Sequence, residues 1–223
     1  MTRSLAVFWP VVAFALITAP SQALDLNQPN ALALHHVQAK PVSYRGRNAI
    51  RIVDDARGGG DEVSRIAVIN GTSIKDGTVE VSLSGDTAPN APAGLRGFVG
   101  VAFRVAGDAS RYECFYLRPK NGRSGDQLQR NHSAQYISVP GFPWNKLRAE
   151  TPGKYESYVD LVPGAWTKVT IEFADRTARL YVNGASEPTL IVHDLKQNPQ
   201  AGAVALWVGP GTIAHFADLS LSR

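Results

Sequence analysis

The residues able to do chemistry crowd into the middle of the chain. Between Asn121 and Tyr158 stand Arg130, Asn131, His132, Trp144, Arg148 and Tyr155, with further Arg, Gln and Tyr residues among them. That mixture suits sugar recognition. Aromatic faces cover the apolar C–H face of a pyranose, and planar guanidinium and amide groups bond its hydroxyls. Arg118, Arg130, Asn131, Trp144, Arg148 and Tyr155 are therefore the candidate ligand-binding residues. A mechanical reading competes with this one: Arg148 paired with Glu150 or Glu156 would pin a large surface loop. His132 stands beside Arg130 and Asn131, as a metal ligand, a general base or a hydrogen-bonding loop histidine.

Arg104 gives a second clue. From Phe98 to Val105 the chain alternates, with Val99, Val101, Phe103 and Val105 on one face and Phe98, Gly100, Ala102 and Arg104 on the other. Small residues at 100 and 102 clear that second face, and Arg104 would edge a groove there, or pair with Glu113 under a covering sheet or loop. The segment from Arg111 to Arg118 is ambiguous. Glu113, Phe115 and Leu117 share one face; Tyr112, Cys114, Tyr116 and Arg118 share the other.

Other chemistries find little support. Gly58-Gly59-Gly60 lacks the Lys and Ser/Thr of a phosphate-binding loop. No compact Asp/Asn run predicts calcium. His193 and His215 read as structural, and His35-His36 falls in an irregular lead-in. No metal and no cofactor are expected. Cys114 is the only cysteine, so no intramolecular disulfide forms, and its aromatic neighbours predict a small buried hydrophobe. The net charge is +4, with basic and acidic residues interspersed, so no nucleic-acid partner is expected.

The elements that must position these residues are short alternating segments. Thr78–Leu83, Lys168–Phe173, Leu180–Val182, Ala203–Val208 and Thr212–Leu221 read as strands. Asp175-Arg176 and Asn183-Gly184 read as turns. Many short strands with such punctuation predict a sandwich or barrel of one domain. The stretch from Asn121 to Tyr158 reads as a long polar loop, which inside a domain is often functional.

The first residues carry an address. Arg3, the apolar run Leu5–Ile17 and the small residues of Ser21-Gln22-Ala23 follow the order of a secretion signal. The expected divisions are a signal peptide over 1–23, an irregular lead-in and first strands over 24–61, and the main body of a single domain over 62–223. Cleavage after Ala23 would leave no membrane span and a secreted or periplasmic protein.

The pattern Ala178-Arg179-Leu180-Tyr181-Val182-Asn183-Gly184, then Gly202 to Thr212, then Phe216-Ala217-Asp218-Leu219, resembles the closing strands of laminin-G and concanavalin A-like jelly rolls. With Asp76-Gly77-Thr78-Val79-Glu80 the resemblance covers roughly residues 62–223. It implies an all-β, concanavalin A-like jelly-roll sandwich of two antiparallel sheets. Within that class the chain is similar to the 3-keto-disaccharide hydrolase family, through Gly100–Arg104 followed by Tyr112-Glu113. It departs from that family at Phe98-Val99, where Asn-Ser is typical, and at Phe115, where Gln is common. A 3-keto group acidifies the neighbouring C–H, so cleavage of such a sugar needs a base, for which Glu113 or His132 is the candidate, and a stabiliser of developing negative charge, for which Arg104 is. The Glu-x-Asp-x-x-Glu strand of laminarinase-type glucanases is absent, so retaining hydrolysis through that motif is not expected. Three functions are consistent with these residues: binding of a carbohydrate ligand, cleavage of a glycoside substrate in the same groove, and a protein-interaction module.

Overall fold

Alternation in the sequence becomes two layers in space. In the computed structural model, residues 21–28, 30–55 and 63–223 are described. One sheet runs β13 (Leu190–Val192), β12 (Thr177–Val182), β11 (Thr167–Ala174), β6 (Gly77–Thr87), β15 (Thr212–Ser222), β4 (Arg47–Asp54) and β3 (Val37–Tyr44). The two-residue β1 (Gln22–Ala23) also pairs with β15. The second sheet runs β10 (Glu156–Ser157), β9 (Ala134–Val139), β8 (Tyr112–Leu117), β7 (Val99–Val105), β14 (Ala203–Val208), β5 (Ile66–Ile69) and β2 (Leu32–His35). Every pairing among these strands is antiparallel.

The inner faces close on one core. Val79, Val81 and Leu83 of β6, Val169, Ile171 and Phe173 of β11, and Val99, Val101 and Phe103 of β7 belong to the same buried cluster. Phe103 and Phe173 meet across the layers with ring centroids 4.5 Å apart. Each such side chain contributes about 1.5–3 kcal/mol by leaving water. The β11–β12 hairpin closes at Asp175, whose positive φ suits the tight turn, as the sequence predicts.

β7 and β8 are buried along their whole length. A second apolar cluster on the outer face of the seven-stranded sheet, including Ile66, Ala102, Cys114, Tyr116, Ile137 and Trp207, explains this. Cys114 packs there as the expected small hydrophobe, and burial pushes its thiol pKa up.

Three expectations meet a different outcome. Residues 24–40, expected to be irregular, contain β2 and the first half of β3; Pro41 sits in β3, an edge strand, where its missing N–H leaves no ladder bond unmade. The middle stretch is no continuous loop. It holds β9, with Ala134 and Tyr136 facing the core, between two short helices, α1 (Gln127–Asn131) and α2 (Trp144–Glu150). The third difference lies in β7. Val105 pairs with Ala203 and Ala102 with Ala205, so Phe103 and Arg104 together oppose the single residue Val204. This β-bulge, with Arg104 at φ +53°, resets the alternation: Val105 joins Ala102 on the outer face and Arg104 leaves it.

The secretion signal falls mainly on residues outside those described, as does the Gly58-Gly59-Gly60 loop. Gln22 and Ala23, at the end of the expected signal, form β1 against Leu221 and Ser220. No helix among the described residues is long and apolar enough to cross a membrane.

Candidate functional site

A cavity of about 770 Å³ opens on the outer face of the seven-stranded sheet. Its floor begins with a glycine. In register across the sheet, Trp207 of β14 pairs with Gly100 of β7, and Gly100 with Tyr116 of β8. With no side chain between them, the two rings lean together and stack at 4.7 Å with a 27° interplanar angle. A Cβ at Gly100 would lie 2.2 Å from the Phe115 carbonyl oxygen and 2.5 Å from the Tyr116 Cβ, so the approach depends on glycine. Phe98 meets Tyr116 edge-on at 6.1 Å, and Ile137 and Val139 extend the apolar floor.

The walls come from connections. Leu95 and Arg96 stand on the segment leading into β7, and Arg65 precedes β5. Opposite them are Pro140, Gly141 and Pro143 after β9, and Trp144, Lys146 and Arg148 of α2.

Arg118 follows β8 on the same face as Tyr116 and is only 4% exposed. Its guanidinium donates to the Tyr116 hydroxyl at 2.7 Å, to Gln135 Oε1 at 3.0 Å and to the His132 carbonyl at 2.9 Å. It lies over the rings of Tyr116 and Trp144, at 4.9 and 5.7 Å. Arg148 lies over Trp144 as well, at 4.6 Å. Behind this group sits Glu156 of β10. Arg148 Nε donates to both its carboxylate oxygens, at 2.9 and 3.1 Å, and Nη2 donates to Oε1. Arg118 Nη1 is 3.9 Å from the same carboxylate and His132 Nε2 is 3.1 Å away. Burial holds the His132 pKa below the usual histidine value; Arg148 and Arg118 act in the same direction and Glu156 opposes them. The ring is therefore neutral at neutral pH.

The structure gathers part of the predicted set. Arg118, His132, Trp144 and Arg148 line the cavity. Arg130 and Asn131 do not: Arg130 packs over Tyr158 at 5.0 Å, and Asn131 accepts from Gln127 at the exposed end of α1. Tyr155 turns the other way, into the core, where its hydroxyl donates to Asp194 at 2.6 Å.

Arg104 and Glu113 also lie elsewhere. The bulge turns Arg104 away from the groove expected for it. It donates to the Lys75 and Asp175 carbonyls and to Asp76, with its guanidinium over Phe173. Glu113 belongs to the inner face of β8. It accepts from the Tyr136 hydroxyl at 2.5 Å and from the Gln197 N–H at 2.8 Å, and burial raises its pKa. Neither residue borders the cavity. The carboxylate that does serve its wall is Glu156, one of the two partners expected for Arg148.

Tyr116, Trp207, Phe98, Arg65, Arg96 and Lys146 are cavity residues that the sequence reading did not single out. Trp207 left a signal. It stands out of phase with Val204, Leu206 and Val208, a large ring on the face away from the core.

Two antiparallel sheets packed face to face in this strand order define a concanavalin A-like jelly-roll sandwich. Known structures share it. A protein of unknown function with a galectin-like fold from Bacillus subtilis is 11% identical, covering 84% of this chain and 87% of its own, at a TM-score of 0.54. The carbohydrate binding module CBM66 from Bacillus subtilis is 12% identical, covering 85% of this chain and 97% of that one, at 0.50. The Emp47p carbohydrate recognition domain is 9% identical over 95% of this chain and 99% of that one, also at 0.50. At such identities the likeness establishes the fold. No family model matches the chain, and no curated protein sequence matches it.

Proposed function

We propose that this protein recognises a carbohydrate, with a sugar ring lying over the stacked Tyr116–Trp207 pair. The observation that carries the reading is the combination of that aromatic floor with buried, fully oriented polar groups at its edge, in a cavity large enough for an oligosaccharide segment. Together with Ile137 and Val139, the stacked pair offers an apolar surface to the C–H face of a pyranose. Arg118, already fixed by three hydrogen bonds, loses little freedom on meeting a hydroxyl. The fold it shares with a carbohydrate binding module and a carbohydrate recognition domain supports the reading by analogy. The N-terminal signal pattern supports an extracytoplasmic setting; N-terminal sequencing of exported protein is expected to begin at Leu24.

Calorimetric titration against a panel of oligosaccharides tests the proposal. The native protein is expected to bind saturably, and Trp207→Ala to weaken binding by about 2 kcal/mol, the scale of an aromatic anchor. Unchanged affinity in Trp207→Ala would move the site elsewhere.

A second reading, glycoside cleavage, has one observation in its favour. The neutral imidazole of His132 borders the cavity with Glu156 behind it at 3.1 Å, the arrangement of an oriented general base. Release of a free sugar from glycosides or 3-keto-glycosides, abolished in His132→Ala, is the outcome that favours it; binding without any product favours recognition alone.

A further inference from the structure

We infer that the carbohydrate held in this cavity is an acidic one, carrying carboxylate or sulfate groups. The inference rests on the proposed sugar site and names its ligand class. Arg65, Arg96, Arg118, Lys146 and Arg148 all line the cavity, while none of its described lining residues is Asp or Glu. Among the described residues, carboxylates reach this group only from behind. Asp54 holds Arg65 at 2.8 Å, and the single carboxylate of Glu156 serves both Arg148 and Arg118.

Arg96 and Lys146 have no such compensation. Arg96 donates to the carbonyls of Ala93 and Leu95, and Lys146 to the carbonyl of Gly141 at 2.9 Å. No ion pair among the described residues includes either one. A carbonyl satisfies a donor but leaves the formal charge in place. One cation therefore stands on the segment before β7 and the other on α2, on walls built by different parts of the chain.

A neutral sugar accepts hydrogen bonds from these cations through its hydroxyls but leaves their excess charge unneutralised. With Asp54 and Glu156 behind three of the five cations, an excess of positive charge remains around the apolar floor, carried by Arg96 and Lys146. A partly enclosed site screens that field less than open water does. Guanidinium groups match the planar fork of a carboxylate and the oxygens of a sulfate ester. Aromatic floor and cationic walls together select a ring that is apolar on one face and anionic at its edge.

The test titrates the full chain with an oligogalacturonate, its neutral methyl ester, a heparin-derived sulfated oligosaccharide, a neutral gluco-oligosaccharide and inorganic polyphosphate. The expected result is at least one acidic sugar binding about tenfold or more tightly than the neutral ones, with affinity falling as salt is added. Which acidic sugar wins distinguishes carboxylate from sulfate. In the double variant Arg96→Gln with Lys146→Gln, checked for an unchanged thermal melt, the preference for acid over ester shrinks toward one. Salt-independent binding in which neither acidic sugar exceeds the neutral ones would overturn the inference and leave the sugar site standing. Binding of no sugar at all would overturn both. Polyphosphate binding as tightly as either acidic sugar would mark a general polyanion surface and also overturn it.

Discussion

Glu156 shows how one buried side chain organises several others around it. Arg148 and Arg118 converge on a carboxylate that is 2% exposed, and His132 lies within 3.1 Å of it. Glu156→Gln removes the charge and leaves donors facing donors. A loss of about 1–3 kcal/mol in urea denaturation is expected, together with weaker sugar binding as Arg148 and Trp144 loosen. An unchanged midpoint would mean that the arginines are held by other contacts. On the other sheet, His215 stacks against Tyr44 at 3.6 Å, and burial with nearby Arg51 pushes its pKa down to about 4. Unfolded, the ring takes a proton near 6.5; folded, it resists until about 4. Between those values the unfolded chain binds more protons, so His215 contributes stability above pH 6.5 that is lost as pH falls toward 4. Denaturation midpoints measured across that window should fall, and His215→Phe should flatten the slope.

At the scale of the element, the decisive features are a glycine and a bulge. Gly100→Ala drives a Cβ into the backbone of β8, so a loss of about 1–3 kcal/mol and a disturbed Tyr116–Trp207 stack are expected by thermal melting and near-ultraviolet dichroism. The strands with one polar face, such as β11 and β12, were legible because their alternation is clean. β8 was ambiguous because both of its faces are buried, which erases the difference between inside and outside that period-two reading needs. β9 was hidden among Arg, Gln and Pro residues, although Ala134 and Tyr136 alternate toward the core with Ile137 on the outer face. The bulge at Arg104 left no mark in the sequence. Its positive φ follows from pairing with β14, a tertiary cause, and it moved the one arginine that a strict alternation places in the groove.

The whole molecule separates two polar centres that the sequence reading joined. Arg104 and Glu113 stabilise loops and the core edge; Arg118, His132, Trp144 and Arg148 face the cavity. Glu113→Gln is accordingly expected to shift thermal stability while leaving sugar affinity within error, measured on the same preparation. The fold class was legible from the closing strands, and the aromatic-and-arginine character of the site from composition. Of the floor, the face of β7 cleared by Gly100 was legible; the Tyr116–Trp207 pair was not, because β8 and β14 flank β7 only once the sheet forms.

The most direct measurement is a crystal structure of the protein soaked with an oligosaccharide that binds it in solution. A pyranose stacked on Tyr116 and Trp207, with anionic groups toward Arg96 and Lys146, is the predicted result. A sugar bound on the outer face of the eight-stranded sheet, with the cavity holding only solvent, would contradict the account.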